Sequence, residues 1–232
     1  MTEWNFADVY EAVAARVPDR PCQVQGDRTI TWSQFDGRAN ALAADMLAAG
    51  LGHQSKVAAY LHNGPEYLET YVAAFKAGLA PVNTNYRYTE DELEYLWENS
   101  DTVAVVFHGS FADTCGRMRA RCPRVHTWIW VDDGSGPCPD WAVDYEAAAA
   151  SAATRTIAPW GRSGDDLYLI YTGGTTGFPK GVMWRQDDVI GSLDNSSKTK
   201  LPVEPGWDVF DSRIKGPGPR VLPGAPLMHG TG

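Results

Sequence analysis

A chain of 232 residues, 44% of them apolar, is long enough to bury a core as one large domain or two small ones and too apolar to stay disordered. The formal charge of −9 disfavours binding to a nucleic-acid backbone, since no cluster of lysines and arginines offsets the repulsion. No run approaches the roughly 18 apolar residues of a membrane span, and Glu3, Asp8 and Glu11 stand where a targeting leader would be basic, so the expectation is a cytoplasmic protein with no transmembrane segment.

In chain order, Phe6, Val9, Tyr10 and Val13 recur at helical spacing behind Asn5 and Asp8, and residues 28–31 are strand-like. Thr31 and Gln34 fit a capping box for a helix with Phe35, Leu42, Met46 and Leu47 on one face, stopped by Gly50 in a left-handed conformation. Residues 57–61 read as a buried strand, and Pro65 opens a helix carrying Leu68, Tyr71, Val72 and Phe75. Thr89 and Glu92 cap a further helix with Leu93, Leu96 and Trp97, and strands follow at residues 103–107, 125–131 and 167–171. This alternation predicts an α/β fold: a mostly parallel sheet with helices on both faces, because parallel neighbours need crossover connections. Residues 132–140 read as a surface turn, while residues 193–223 show no sustained period and are long for a loop without structure of its own.

Cys22, Cys115, Cys122 and Cys138 lack the CxxC spacing of a zinc or dithiol site and read as ordinary thiols, so no metal ligands are predicted. The adjacent pairs Asp165-Asp166 and Asp187-Asp188 read as helix caps or solvated turns. His53, His62, His108 and His126 read as structural.

The informative stretch is residues 167–184, where a buried strand runs into Thr172-Gly173-Gly174-Thr175-Thr176-Gly177-Phe178-Pro179-Lys180-Gly181. Glycines let successive backbone N–H groups converge on an anion, threonine hydroxyls add donors, and Lys180 adds a compact positive charge. A plain glycine-rich turn between two strands has the same composition. The Walker pattern fails, because Lys180 follows Pro179 and precedes Gly181 instead of opening a helix as Gly-Lys-Ser/Thr, and the dinucleotide GxGxxG spacing is absent.

The stretch resembles the YTSGTTGxPKG signature of the adenylate-forming superfamily, which includes acyl-CoA synthetases, firefly luciferase and peptide-synthetase adenylation domains. Gly173 departs from it, in the place where serine is commoner. Residues 29–35 resemble the family's early T(Y/W)xEL segment, residues 74–83 its KAGAVxVPxN segment, and residues 226–232 its PLFHxxG motif. Gln186 stands where the GVxxTH pattern usually has histidine, a combination similar to synthetases of long-chain or sterol side-chain acids.

The resemblance implies ATP-dependent activation of a carboxylic acid to an acyl-adenylate, then transfer to coenzyme A, with Mg2+ accompanying ATP. It implies that Thr172, Gly173, Gly174, Thr175, Thr176, Gly177 and Lys180 hold the phosphates, and that Lys180 and His229 belong to the catalytic site. Residues 1–232 then correspond to the N-terminal portion of the AMP-binding domain, truncated or one piece of a split protein. The C-terminal domain and the elements for adenine, ribose and magnesium would be absent, and the fragment alone inactive and prone to self-association or to complementation by the missing portion. Two other readings stay open: an aryl-acid or peptide-synthetase-type adenylating enzyme, and a non-catalytic interaction module.

Overall fold

Lys56–Tyr60 reads KVAAY, apolar on both faces, and such a strand is stable only when covered on both sides. The computed structural model describes residues 4–150, 154–172, 179–198, 200–202, 206–214 and 218–229. In chain order the elements are α1 (Phe6–Arg16), β1 (Pro21–Gln25), β2 (Arg28–Thr31), α2 (Trp32–Ala48), β3 (Lys56–Tyr60), α3 (Pro65–Lys76), β4 (Ala80–Asn83), α4 (Glu90–Asn99) and β5 (Thr102–His108). Then follow α5 (Ala112–Arg121), β6 (Thr127–Val131), β7 (Val143–Asp144), α6 (Tyr145–Ala149), β8 (Leu167–Thr172), β9 (Lys180–Arg185), α7 (Gln186–Asp194) and α8 (Trp207–Arg213).

Strands β1 and β2 make a small hairpin, and the other seven form one sheet in the order β7-β6-β5-β3-β4-β8-β9. All neighbours are parallel except β9, which runs antiparallel to β8. Val57, Ala59 and Leu61 join one core with Phe35, Leu42 and Met46 of α2 and Val72 of α3. Ala58 and Tyr60 join the opposite core with Leu93, Leu96 and Trp97 of α4 and Cys115 and Met118 of α5. The expected α/β architecture, with helices on both faces, is the one found.

Local signals act as read. Both capping boxes form, Thr31 with Gln34 and Thr89 with Glu92, each worth about 1 kcal/mol. Gly50 takes a φ of +87°, which ends α2. All four cysteines are unpaired.

Charge is buried where α1, α2 and α3 meet. Lys76 is fully buried, held between Glu11 of α1 at 2.5 Å and Asp36 of α2 at 2.8 Å, while Arg162 reaches Glu11 and Asp8, each at 2.7 Å. The N-terminus is fastened far along the chain: the Trp4 N–H donates to Asp187 at 2.9 Å, and its indole donates to the Pro202 carbonyl at 2.9 Å.

Two readings change, and α5 is a helix that no pattern announced. Residues 193–223 contain a helix, α8, whose Trp207 and Phe210 rings pack on Trp4 at 5.1 and 5.9 Å and whose Arg213 pairs with Asp194 at 3.0 Å. Helix α5 carried too few apolar residues to show a face. Asp166 is not solvated: it is 3% exposed and bonds the His53 ring at 2.7 Å, because the turn before β8 is tucked against the loop before β3.

Candidate functional site

Strands β3, β4, β5 and β8 run parallel, so their carboxyl ends share one edge of the sheet, the edge at which open α/β folds bind ligands. Thr172 is the last residue of β8 and Lys180 the first of β9, and the two are cross-strand partners. Both are exposed, and among the described residues Lys180 has no ion-pair partner. A lysine opening a strand does not stand at a helix N-terminus, which agrees with the rejection of the Walker pattern. Gly173, Gly174, Thr175, Thr176 and Gly177, the other expected phosphate ligands, lie outside the described residues.

The hairpin explains Gly181. It pairs with Tyr171, whose ring lies across it, so a Cβ there would fall 2.7 Å from Tyr171 Cζ. Burial raises the Tyr171 phenol pKa, and the protonated hydroxyl donates to Asn99 Oδ1 at 2.8 Å. Gly181→Ala must displace that ring and its hydrogen bond, so urea denaturation should show a loss of about 1–3 kcal/mol, the usual cost of overpacking.

His229 is exposed in a turn closed by its own N–H to the Pro226 carbonyl at 2.9 Å. The turn is held from two sides: the Leu227 N–H donates to Asn63 Oδ1 at 2.8 Å, and the carbonyl of buried Met228 accepts from Asn83 Nδ2 at 2.6 Å. The Asn83 carboxamide also takes both polar groups of the Tyr171 backbone, accepting its N–H at 2.7 Å and donating to its carbonyl at 2.8 Å. The approaches to Thr172 and to His229 are thereby brought together on one side chain. No local pattern assigns Asn83 a role. Its only signal was its place at the end of the KAGAVxVPxN-like segment.

The other histidines sit in structural settings. Burial, and then the neighbouring His62, push the His108 imidazole below its usual range, and its Nδ1 accepts the His62 N–H at 3.0 Å. Gln186 is 1% exposed and its Oε1 accepts the Phe6 N–H at 2.9 Å, so its side chain fastens the N-terminus. Among the described residues no group of three or more His, Cys, Asp or Glu could hold a metal ion, and no helix is long and apolar enough to cross a membrane.

The sequence pattern of the AMP-binding enzyme family matches residues 10–232. The medium-chain acyl-CoA ligase Mig of Mycobacterium avium is 37% identical over 247 residues, covering 99% of this chain and 44% of that protein. A 3-oxocholest-4-en-26-oate–CoA ligase of Rhodococcus rhodochrous is 36% identical over 233 residues, covering 97% of this chain and 41% of the relative. The chain thus spans less than half the length of these curated relatives. Its fold is similar to the N-terminal domain of FACL13 from Mycobacterium tuberculosis, with a TM-score of 0.72 and 24% identity over 91% of this chain and 55% of that one.

Proposed function

Because the chain belongs to the AMP-binding enzyme family, we propose that it supplies the N-terminal part of an ATP-dependent acyl-CoA ligase. A carboxylate attacks the α-phosphorus of ATP, pyrophosphate leaves, and the thiol of coenzyme A then displaces AMP from the acyl-adenylate. The observation that carries the reading is the hairpin at the carboxyl edge, closed by the Thr172–Lys180 pair, with Lys180 exposed and free of ion pairs among the described residues. In this role Thr172, Gly173, Gly174, Thr175, Thr176 and Gly177 cradle the leaving phosphates and Lys180 balances their charge, a contribution of positioning and electrostatics. Nothing in the loop acts as nucleophile. His229 stands where the acyl or thiol group arrives. Magnesium would travel with the triphosphate.

The acid we propose is a medium- or long-chain fatty acid or a sterol side-chain acid, on the sequence similarity to ligases named for such substrates. We place the enzyme in the cytoplasm, where ATP and coenzyme A are supplied. The exposed apolar residues Val182, Met183 and Trp184 on the edge strand β9 support self-association of the chain, or its cover by the remainder of a longer protein.

The test is acyl-CoA formation by the full-length protein across acids from acetate to long-chain and sterol side-chain acids. Medium-chain, long-chain or sterol acids should be turned over best, and acetate as the best substrate would overturn the assignment. The 232-residue chain alone should form no acyl-CoA, because a triphosphate held only by the loop and Lys180 lacks contacts to its nucleoside half. Thioester formation by the chain alone, at a rate near that of the full-length protein, would show that the catalytic residues have been misplaced.

A further inference from the structure

Three segments that lie far apart in the sequence meet at one carboxamide. Asn83 ends β4, while Tyr171, 88 residues on, precedes Thr172, and Met228, 145 residues on, precedes His229. The residue is 6% exposed, and both polar atoms of its side chain are bonded.

The sheet shows why a side chain is needed there. β4 and β8 share a single registered pair, Val82 with Leu169, whereas β4 pairs with β3 along its whole length, ending at Ala59 with Asn83. Past Leu169 the β8 backbone has no main-chain partner on the β4 side. Asn83 takes over the ladder, accepting the N–H and donating to the carbonyl of the same residue, Tyr171, as a paired strand would. Its second Nδ2 proton goes to the Met228 carbonyl.

We propose that Asn83 is a positioning residue of the adenylation site, setting the spacing between the loop that starts at Thr172 and the turn that presents His229. The inference rests on the carboxylate-activating reading above. Asn83 acts through the two peptide groups it holds. Leucine at this position keeps the volume and leaves the Tyr171 N–H and two carbonyls without their partner. Aspartate is nearly isosteric, but its ionised form turns a charged oxygen toward the two carbonyls. When protonated it accepts from the Tyr171 N–H and donates to one carbonyl, restoring part of the clamp. A carboxyl buried beside two carbonyls titrates above its usual range, so the restoration falls within a workable pH interval.

The experiment measures kcat and KM for ATP–pyrophosphate exchange in full-length wild type, Asn83→Asp and Asn83→Leu from pH 5.5 to 8.5, with thermal unfolding recorded for each. At the alkaline end both variants should lose roughly ten- to a hundredfold in kcat/KM while still folded at the assay temperature, the scale expected for a misplacement of about 1 Å. As pH falls, Asn83→Asp should regain activity relative to wild type and Asn83→Leu should not. Taking ratios to wild type at each pH removes every pH effect that all three proteins share. Folded variants with wild-type kinetics, or an Asn83→Asp ratio that is flat with pH, would overturn the proposal. Hydrogen exchange on the wild-type protein adds a reading that needs no variant: the Tyr171 amide should be as protected as the interior of β8, and fast exchange there would also overturn the clamp. A wild-type protein without pyrophosphate exchange would instead sink the adenylating function, leaving hydrogen exchange to decide the clamp separately.

Discussion

Replacing Lys180 by alanine in the full-length protein should slow ATP–pyrophosphate exchange about 100- to 1000-fold, the usual cost of deleting one preorganised charge-stabilising donor. The structure gives reasons to expect a clean result. Lys180 is exposed at the first position of β9, pairs with Thr172 through the backbone, and has no ion-pair partner among the described residues. Removing its side chain strands no buried charge and leaves the ladder intact, so thermal unfolding should move little while the rate collapses. Arginine at the same position should recover only part of the rate, since its planar fork does not match a compact ammonium. Unchanged exchange in Lys180→Ala would remove the residue from the site.

The second large effect concerns the fold. Lys76→Met should destabilise the chain by about 3 kcal/mol, read as a lower urea midpoint with an unchanged slope, because breaking a buried ion pair from one side leaves the partner carboxylates uncompensated. The figure sits at the low end of the usual range because Glu11 keeps Arg162, and the Asp36 side chain is 25% exposed and keeps a bond from Asn40. Lys76 lies at the end of α3, and β4, with Asn83 as its last residue, starts four positions later, so the same pair anchors the strand that reaches the site. Acid should expose this network. Burial alone would raise the Glu11 pKa, but hydrogen bonds from Arg162 and Lys76 outweigh that and lower it from 4.5 to about 2. A carboxylate depressed in the folded state contributes stability that is full above its unfolded value. That contribution is lost as pH falls from about 4.5 toward 2. The loss should be shallower in Lys76→Met, which lacks one of the depressing partners. A urea midpoint in that variant equal to wild type at neutral pH would show that the buried pair contributes nothing net.

The parts of the fold legible in the sequence were those specified locally. The capping boxes at Thr31 and Thr89 are four-residue patterns, and the two-sided burial of β3 follows from the composition of KVAAY alone. The glycine- and threonine-rich stretch is conspicuous for a similar reason, since its glycines, threonines and lysine fall within ten consecutive residues, framed by the paired ends Thr172 and Lys180. What escaped depends on partners far away. Nothing near Asp166 in the sequence shows that His53 will cover it, and nothing near Asn83 shows that it will complete a ladder with a strand 88 residues on. Helix α8 has seven residues and only Trp207 and Phe210 as anchors, too short a run to show a period until Trp4 is seen beneath it. His229 is a candidate on its motif, but the arrangement that holds its turn, through Asn63 and Asn83, belongs to tertiary structure.

The clasp of Trp4 has a consequence in time. Its two hydrogen bonds join residues separated by 183 and 198 positions, among the longest spans in the chain. At a synthesis rate of about 5–20 residues per second, the ribosome needs on the order of 10 s or more to deliver those partners after Trp4 has emerged. Helix α1 can dock on α2 and α3 well before then, but the clasp cannot close until α7 and the residues after it exist. Loop closure over such a span also makes it a late event in refolding. Trp4 is therefore among the last residues to find its place, and its indole, wet until the clasp closes, would signal by its fluorescence that folding is complete.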